Sequence, residues 1–507
     1  MKKESVDFEK TSVAGQVSYS FSPSITENIA LLKQILNNDD MVVYRYLKEQ
    51  GSRHPQYCIV FADTLSSEKI VNDKIIRPIM ENLMGKNIKK NKLLNYLSNK
   101  VIACRDVKKV ADISTVVHSI LYGDTVVLVE GFSKALVINT KEWVTRAITE
   151  PESERITRGP REGFTESIKV NMSLLERKIV NPDLKFKYME LGSITKTKIC
   201  VCYIEGIASK KILQELMIRL NKIDQEGILD SRYIQDLIQD SPLSMFSTIG
   251  DTERPDVVAA KLIEGRVAVI CDGSPSVLTL PYLFFEYFQA NEDYYNNYVF
   301  ASMNRLLRIL AFFLTTSIPA VYLAIVTFHQ ELLPTPLMLS IAAARKDVPF
   351  PTIVELIIML LVFEVMREAG VRLPLSVGMA ISIVGALVLG EAAVAAKIIS
   401  APMVIVTAFT GISAFLIFKM KGALIVVRTF YLIMAAFLGL YGYMLSVMVL
   451  VVYLISMRSF GVPYMMNASL MDIQNIQDTA VKAPIWLINK RPKFALRRAG
   501  AKSFAKK

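Results

Sequence analysis

The sequence predicts a multi-domain chain: a cytosolic α/β N-terminal domain of two subdomains, then a polytopic α-helical membrane domain. Three observations carry this reading. The 507 residues are 52% hydrophobic but still 21% charged, with a mean hydropathy of +0.35. That is more apolar than a soluble average and too charged for a chain wholly embedded in lipid. Uncharged runs long enough to cross a hydrocarbon core cluster beyond residue 309. Ahead of them, short β-rich runs alternate with segments of helical period.

Residues 1–24 read as a flexible N-terminus. Its positive charge has no apolar stretch behind it, so it is not a secretory signal, and the domain that follows is expected in the cytosol. Subdomain 1 spans 25–145. ITENIALLKQIL and IIRPIMENLM have helical spacing, YCIVFAD and TVVLVEG read as strands, and DISTVVHSILYGD reads as a helix ending near Gly123. A linker rich in charge, Pro and Gly occupies 146–164. Subdomain 2 spans 165–292, with a core-facing stripe of Ile168, Met172, Leu175 and Ile179. Cys58, Cys104, Cys200, Cys202 and Cys271 lie in apolar runs without disulfide spacing. They are expected as reduced thiols that pack like small hydrophobes.

The transmembrane helical domain is placed at 293–460 and a basic cytosolic tail at 461–507. Ile309–Phe328, Leu373–Gly390, Ile398–Phe418 and Thr429–Met457 are uncharged, the last with a possible hinge at Gly439–Gly442. Between the first two, PTIVELIIMLLVFEVMREAG is apolar but interrupted by Glu355 and Glu364. It reads equally as a span or as an amphipathic or re-entrant helix. From Arg458 to the C-terminus, ten Lys/Arg stand against two acidic residues, part of a net charge of +12. That excess beside an apolar run points to anionic lipid rather than nucleic acid. With both termini inside, the crossings number four to six. Six result if the Glu-containing segment crosses and the last run folds as a hairpin.

Catalytic constellations are not found: no P-loop, nucleophile elbow or dinucleotide fingerprint. His54, His118 and His329 lack metal-ligand spacing, so no metal or cofactor is expected. Gly378, Ser382, Ala386 and Gly390 recur every four residues, which allows close helix packing in lipid. That stripe either packs within one subunit or borders a pore. In the second case Gly378, Ser382, Val384, Gly385, Leu387 and Leu389 are the lining or gate candidates. Glu391 at the helix end is a ring carboxylate or a solvated cap. Glu355 and Glu364 are intramembrane acidic candidates, Glu364 with Arg367 as its partner. Arg158, Arg161 and Glu162 in RGPREGF are candidates for a subunit contact. No internal repeat is visible, which counts against alternating-access transport built on paired repeats.

Several stretches, in order, are RGPREGFTESIKVNMSLLERKI, DTERPDVVAAKLIEGRVAVICDGSPSVLTLP, PLMLSIAAARKDVPFPTIVE, REAGVRLP, SIVGALVLGEAAV and RSFGVPY. This series resembles the A subunits of GerA-type germinant receptors of endospore-forming bacteria. The resemblance implies a spore-germination role in the inner spore membrane. It also implies a transporter-like B subunit that senses nutrient, a C-subunit lipoprotein, and self-association of the A subunit around a pore that releases ions. The run GEAAVAAKI departs from the family by adding Glu391 and Lys397. A non-conducting scaffold or sensor, and an alternating-access transporter, are the competing readings.

Overall fold

The computed structural model describes residues 11–13, 16–18, 21–36, 41–48, 55–83, 90–104, 106–141, 150–151, 154–372, 390–466 and 478–484. They fall into two compact units. One is α/β and holds the described residues up to Gln239 with Ile249–Pro281. The other is helical and holds Asp240–Thr248 with the described residues from Tyr282 on.

Within the α/β unit the chain builds the same motif twice. The first half has an antiparallel sheet ordered Val42–Leu47, Tyr57–Ala62, Thr125–Val129, Ala135–Ile138, Val107–Val110. The second runs Leu184–Leu191, Thr197–Ile204, Val267–Cys271, Val277–Leu280, Gly250–Thr252. Numbered along the chain, both orders are the same. The helices Ile113–Leu121 and Pro255–Ile263, and the two strands after each, are displaced by 142 residues without a gap. The expectation of no internal repeat is therefore wrong for this unit.

Local chemistry explains why both copies fold alike. Asn28 and Asn171 each clasp the chain six residues back, at Ser22 and Thr165, before the helices Ile25–Ile35 and Ile168–Lys178. Glu130 and Asp272 accept the first amide of those helices, from Ile25 and Ile168 at 2.8 and 3.1 Å. The next residues, Gly131 and Gly273, have φ of 86° and 84°, which a side chain disfavours. Ile168, Met172, Leu175 and Ile179 are all buried, packed with Cys200 and Cys202 of the sheet. The five cysteines are free and four of them are buried.

In the helical unit, Tyr298–Phe328 is one 31-residue helix. It begins eleven residues before the uncharged run and carries Arg305 and Arg308 inside it. Thr335–Arg345 is a short helix with no buried residue. Thr352–Arg372 is continuous over 21 residues, about 31 Å at 1.5 Å per residue. Ala401–Phe415 follows. Lys421–Ser456 is helical except at Gly439, where φ 59° and ψ −141° break it. The rings of Tyr431 and Tyr443 lie 5.6 Å apart, whereas twelve residues of straight helix would separate them by roughly 18 Å. The segment is thus a helical hairpin with each arm about 25–27 Å long, rather than the single long helix that its apolar composition alone suggests.

Candidate functional site

Charges inside apolar helices are costly and must be paired, and the helical unit gathers them in three places. The first lies where Tyr298–Phe328 begins. Arg305 is fully buried and donates to Asp293 at 3.0 Å and to Asp478 at 2.9 Å. Arg308 donates to both oxygens of Asp293, at 2.8 and 3.0 Å. Lys482 donates from its ammonium to the carbonyls of Asp293 and Asn296, and the Tyr294 hydroxyl reaches the Asp478 carboxylate at 3.1 Å. The segment from Asp478 is thereby fastened to the base of the helix.

The second place joins Thr352–Arg372 to the hairpin. Glu364 bridges Arg367, three residues on, and the buried Arg428, at 2.9 Å. Lys421 and Glu368 approach to 3.7 Å in the same pair of elements.

The third lies at the other end of Thr352–Arg372. Glu355 is fully buried, and its Oε2 accepts the Ser400 amide at 2.9 Å and hydroxyl at 2.8 Å. A carboxylate there caps the N-terminus of Ala401–Phe415 and meets the positive end of its dipole. Among the described residues Glu355 Oε1 has no hydrogen-bond partner, and Arg345 Nε stands 3.6 Å from it. The Tyr322 hydroxyl, also buried and without a hydrogen-bond partner among the described residues, lies within electrostatic reach of both charges. Lys397 pairs with Asp347 at 2.6 Å.

Ring contacts and close approaches fix how the hairpin runs against Tyr298–Phe328. Near the start of Tyr298–Phe328, Phe312 packs on Phe284 and Phe288. Phe284 also packs on Phe246, which meets Tyr453 of the returning hairpin arm. Near its end, an ideal Cβ on Gly439 would meet Phe328 and His329 at 3.1 Å. The hairpin tip thus sits by the helix's C-terminus, and the returning arm runs antiparallel to it.

Both intramembrane acidic candidates prove paired. Glu364 has the expected Arg367, and Arg428 in addition. The last uncharged run begins at Thr429, which leaves Arg428 just outside it. The available signal was an acid within one apolar segment and a base immediately ahead of another. Glu391 is exposed. Gly378, Ser382, Val384, Gly385, Leu387 and Leu389 lie outside the described residues.

In RGPREGF, burial pushes the Glu162 carboxyl up, but hydrogen bonds from Arg177 at 2.7 Å and Lys178 at 3.2 Å outweigh it and hold it below the usual range. Glu162 is thus occupied within the chain. Arg158 and Arg161 are exposed and make no ion pair among the described residues. Among the described residues no group of three or more His, Cys, Asp or Glu could hold a metal ion.

The sequence profile described as Bacillus/Clostridium GerA spore germination protein matches residues 30–494. The chain belongs to the GerA spore germination family. Among its GerA relatives, spore germination protein KA of Bacillus subtilis (strain 168) is 40% identical over 93% of this chain and 86% of its own length. Spore germination protein A1 of the same organism is 35% identical over 92% and 95%. A solved GerA-type domain is also similar in sequence: the N-terminal domain of the A subunit of the Bacillus megaterium spore germinant receptor GerK3. It is 30% identical and covers 53% of this chain and 99% of its own, with a TM-score of 0.42.

Proposed function

We propose that this chain is the A subunit of a nutrient receptor in spore germination. In this reading it sits in the spore inner membrane, spans it six times with both termini cytosolic, and oligomerises into a nutrient-gated ion channel. It has no enzymatic activity of its own and works with a transporter-like B subunit and a C-subunit lipoprotein. The observation that carries this is the helical hairpin at Gly439 together with the paired charges inside the apolar helices.

Crossing by crossing, Tyr298–Phe328 leaves the cytosol and Thr352–Arg372 returns. The sequence-expected span Leu373–Gly390, outside the described residues except for Gly390, is taken to go out again, and Ala401–Phe415 comes back. The two hairpin arms complete the count. Lys419 and Lys421 then lie inside, as the excess of positive charge on cytosolic loops requires, and so does the basic tail. The ion pair between buried Arg428 and half-buried Glu364 supports a structural tie between helices rather than an ion site. We assign the pore to the Ser382–Glu391 run on sequence spacing alone: its small residues would permit close approach about an axis, and Glu391 would concentrate cations at one mouth.

The test is ion flux from liposomes holding the chain with its B and C partners. Nutrient is expected to open a conductance. Val384→Ser is expected to leak without nutrient, and Glu391→Gln to lower cation flux with assembly intact. Nutrient-independent, unchanged flux in both variants overturns the pore assignment.

A further inference from the structure

Four elements of the helical unit meet at one end with hydrogen-bonding capacity left over. Tyr322 lies near the end of Tyr298–Phe328, the end that the hairpin tip at Gly439 approaches. Arg345 closes the short helix Thr335–Arg345, Glu355 lies in the first turn of Thr352–Arg372, and Ser400 is the N-cap residue of Ala401–Phe415. Glu355 Oε2 is fully used, because it accepts both the amide and the hydroxyl of Ser400.

Three polar atoms remain: Glu355 Oε1, Arg345 Nε and the Tyr322 hydroxyl. Each is sealed from solvent and has no hydrogen-bond partner among the described residues. Arg345 Nε stands 3.6 Å from Glu355 Oε1, too far for a direct bond, and Tyr322 interacts electrostatically with both charges. A buried polar atom left unpaired costs stability, and three at one junction call for a common partner.

The chemistry of the three atoms narrows that partner. A carboxylate oxygen only accepts, a guanidinium nitrogen only donates, and a phenol does either. The partner must therefore both donate and accept. It must also be neutral. A cation drawn to Glu355 meets the Arg345 charge, and an anion drawn to Arg345 meets the Glu355 charge. The nearby Lys397 and Asp347 cancel each other at 2.6 Å, so no net charge favours an ion of either sign. A buried water makes about three hydrogen bonds to groups of this kind. We propose that this junction is a binding site for a single water molecule. The water accepts from Arg345 Nε and the Tyr322 hydroxyl and donates to Glu355 Oε1. A bridging water holds nearly as well as a direct bond, so it ties the first long helix to the carboxylate that caps Ala401–Phe415. The site does not depend on the pore assignment above.

The test uses the full-length chain in detergent, mixed rapidly from ordinary water into heavy-oxygen water and then exposed to a short X-ray burst. Hydroxyl radicals from bulk solvent carry heavy oxygen, whereas those from a held water carry ordinary oxygen. Tyr322 is expected to keep ordinary-oxygen label well after Tyr441, which is 72% exposed, has exchanged. Tyr431, 3% exposed in the same unit, controls for burial and is expected to stay nearly unlabelled. Arg345→Met, and separately Tyr322→Phe with the ring as reporter, are expected to lose the retained label. The wild-type time course decides alone if either variant fails to fold. Exchange at Tyr322 as fast as at Tyr441, or labelling no greater than at Tyr431, overturns the proposal. The heating midpoint is expected to be equal in sodium, potassium and choline chlorides and in sodium gluconate at one ionic strength. A midpoint that follows the identity of the cation or the anion overturns the water in favour of an ion.

Discussion

Gly439 fixes the helical hairpin, and replacing it with alanine tests the hairpin directly. Its φ of 59° with ψ of −141° lies in a region that side chains avoid, at a cost of roughly 1–3 kcal/mol. The added methyl would also press on Phe328 and His329 at 3.1 Å. Overpacking of that kind costs about 1–3 kcal/mol more, so Gly439→Ala is expected to destabilise the helical unit by roughly 2–6 kcal/mol. Two other glycines of the same segment give graded controls. At Gly442 an ideal Cβ would land on the Met434 carbonyl of the opposing arm, and backbone cannot yield as a side-chain end does, so Gly442→Ala is expected to be at least as damaging. At Gly422 nothing lies within 4 Å, and alanine there is expected to be neutral or to stabilise by up to about 1 kcal/mol, the helix-propensity difference. The assay is the fraction of detergent-solubilised full chain that stays monodisperse after heating, with midpoints compared across the three variants. Equal midpoints for all three, or a harmless Gly442→Ala, would refute the hairpin and favour one continuous helix.

Three further outcomes follow. Burial pushes the Cys58 and Cys271 thiols up to about 12. A soluble maleimide at neutral pH is therefore expected to leave both unlabelled in the folded chain and to modify the half-buried Cys104 first; early labelling of Cys271 would contradict its place in the sheet. Burial pushes the Asp230 carboxyl up, but bonds from the Arg232 amide and the Ser274 hydroxyl outweigh it and hold it below the usual value. A depressed folded pKa stabilises above the unfolded value of about 3.9, and that stability is lost as pH falls through the folded value. Ser274→Ala is accordingly expected to move the acid-unfolding midpoint of the α/β unit to higher pH, and an unmoved midpoint counts against the bond. Finally, Arg428→Ala leaves Glu364 with Arg367 alone and is expected to cost about 1.5–3 kcal/mol, the range for a hydrogen bond to a charged group. Replacing both residues with apolar ones of similar size is expected to recover most of that in the heating assay, whereas equal losses in single and double variants would show that the pair is not coupled.

Much of this protein is legible in its residues because the signals are local. Hydropathy separates an apolar second half from an α/β first half, since a run of about twenty uncharged residues has few uses outside a bilayer. The pair Gly439–Gly442 marked a hinge because glycine alone tolerates the backbone such a turn needs. The acid at 364 and the base at 367, three residues apart on one helix face, could be matched by spacing alone.

What the tertiary structure decided are relations that no spacing encodes. The duplicated α/β motif escaped a reading by pattern because few residues are identical between its halves. Those that are, such as Asn28 and Asn171 or Gly131 and Gly273, serve caps and turns whose equivalence appears only when the strand orders are compared. Glu355 and Ser400 are 45 residues apart and Glu364 and Arg428 are 64 apart. Such pairs form because a buried charge in an apolar bundle takes whichever partner the packing brings within reach. Packing is a property of faces and crossing positions, so those partners became visible only once the helices were assembled.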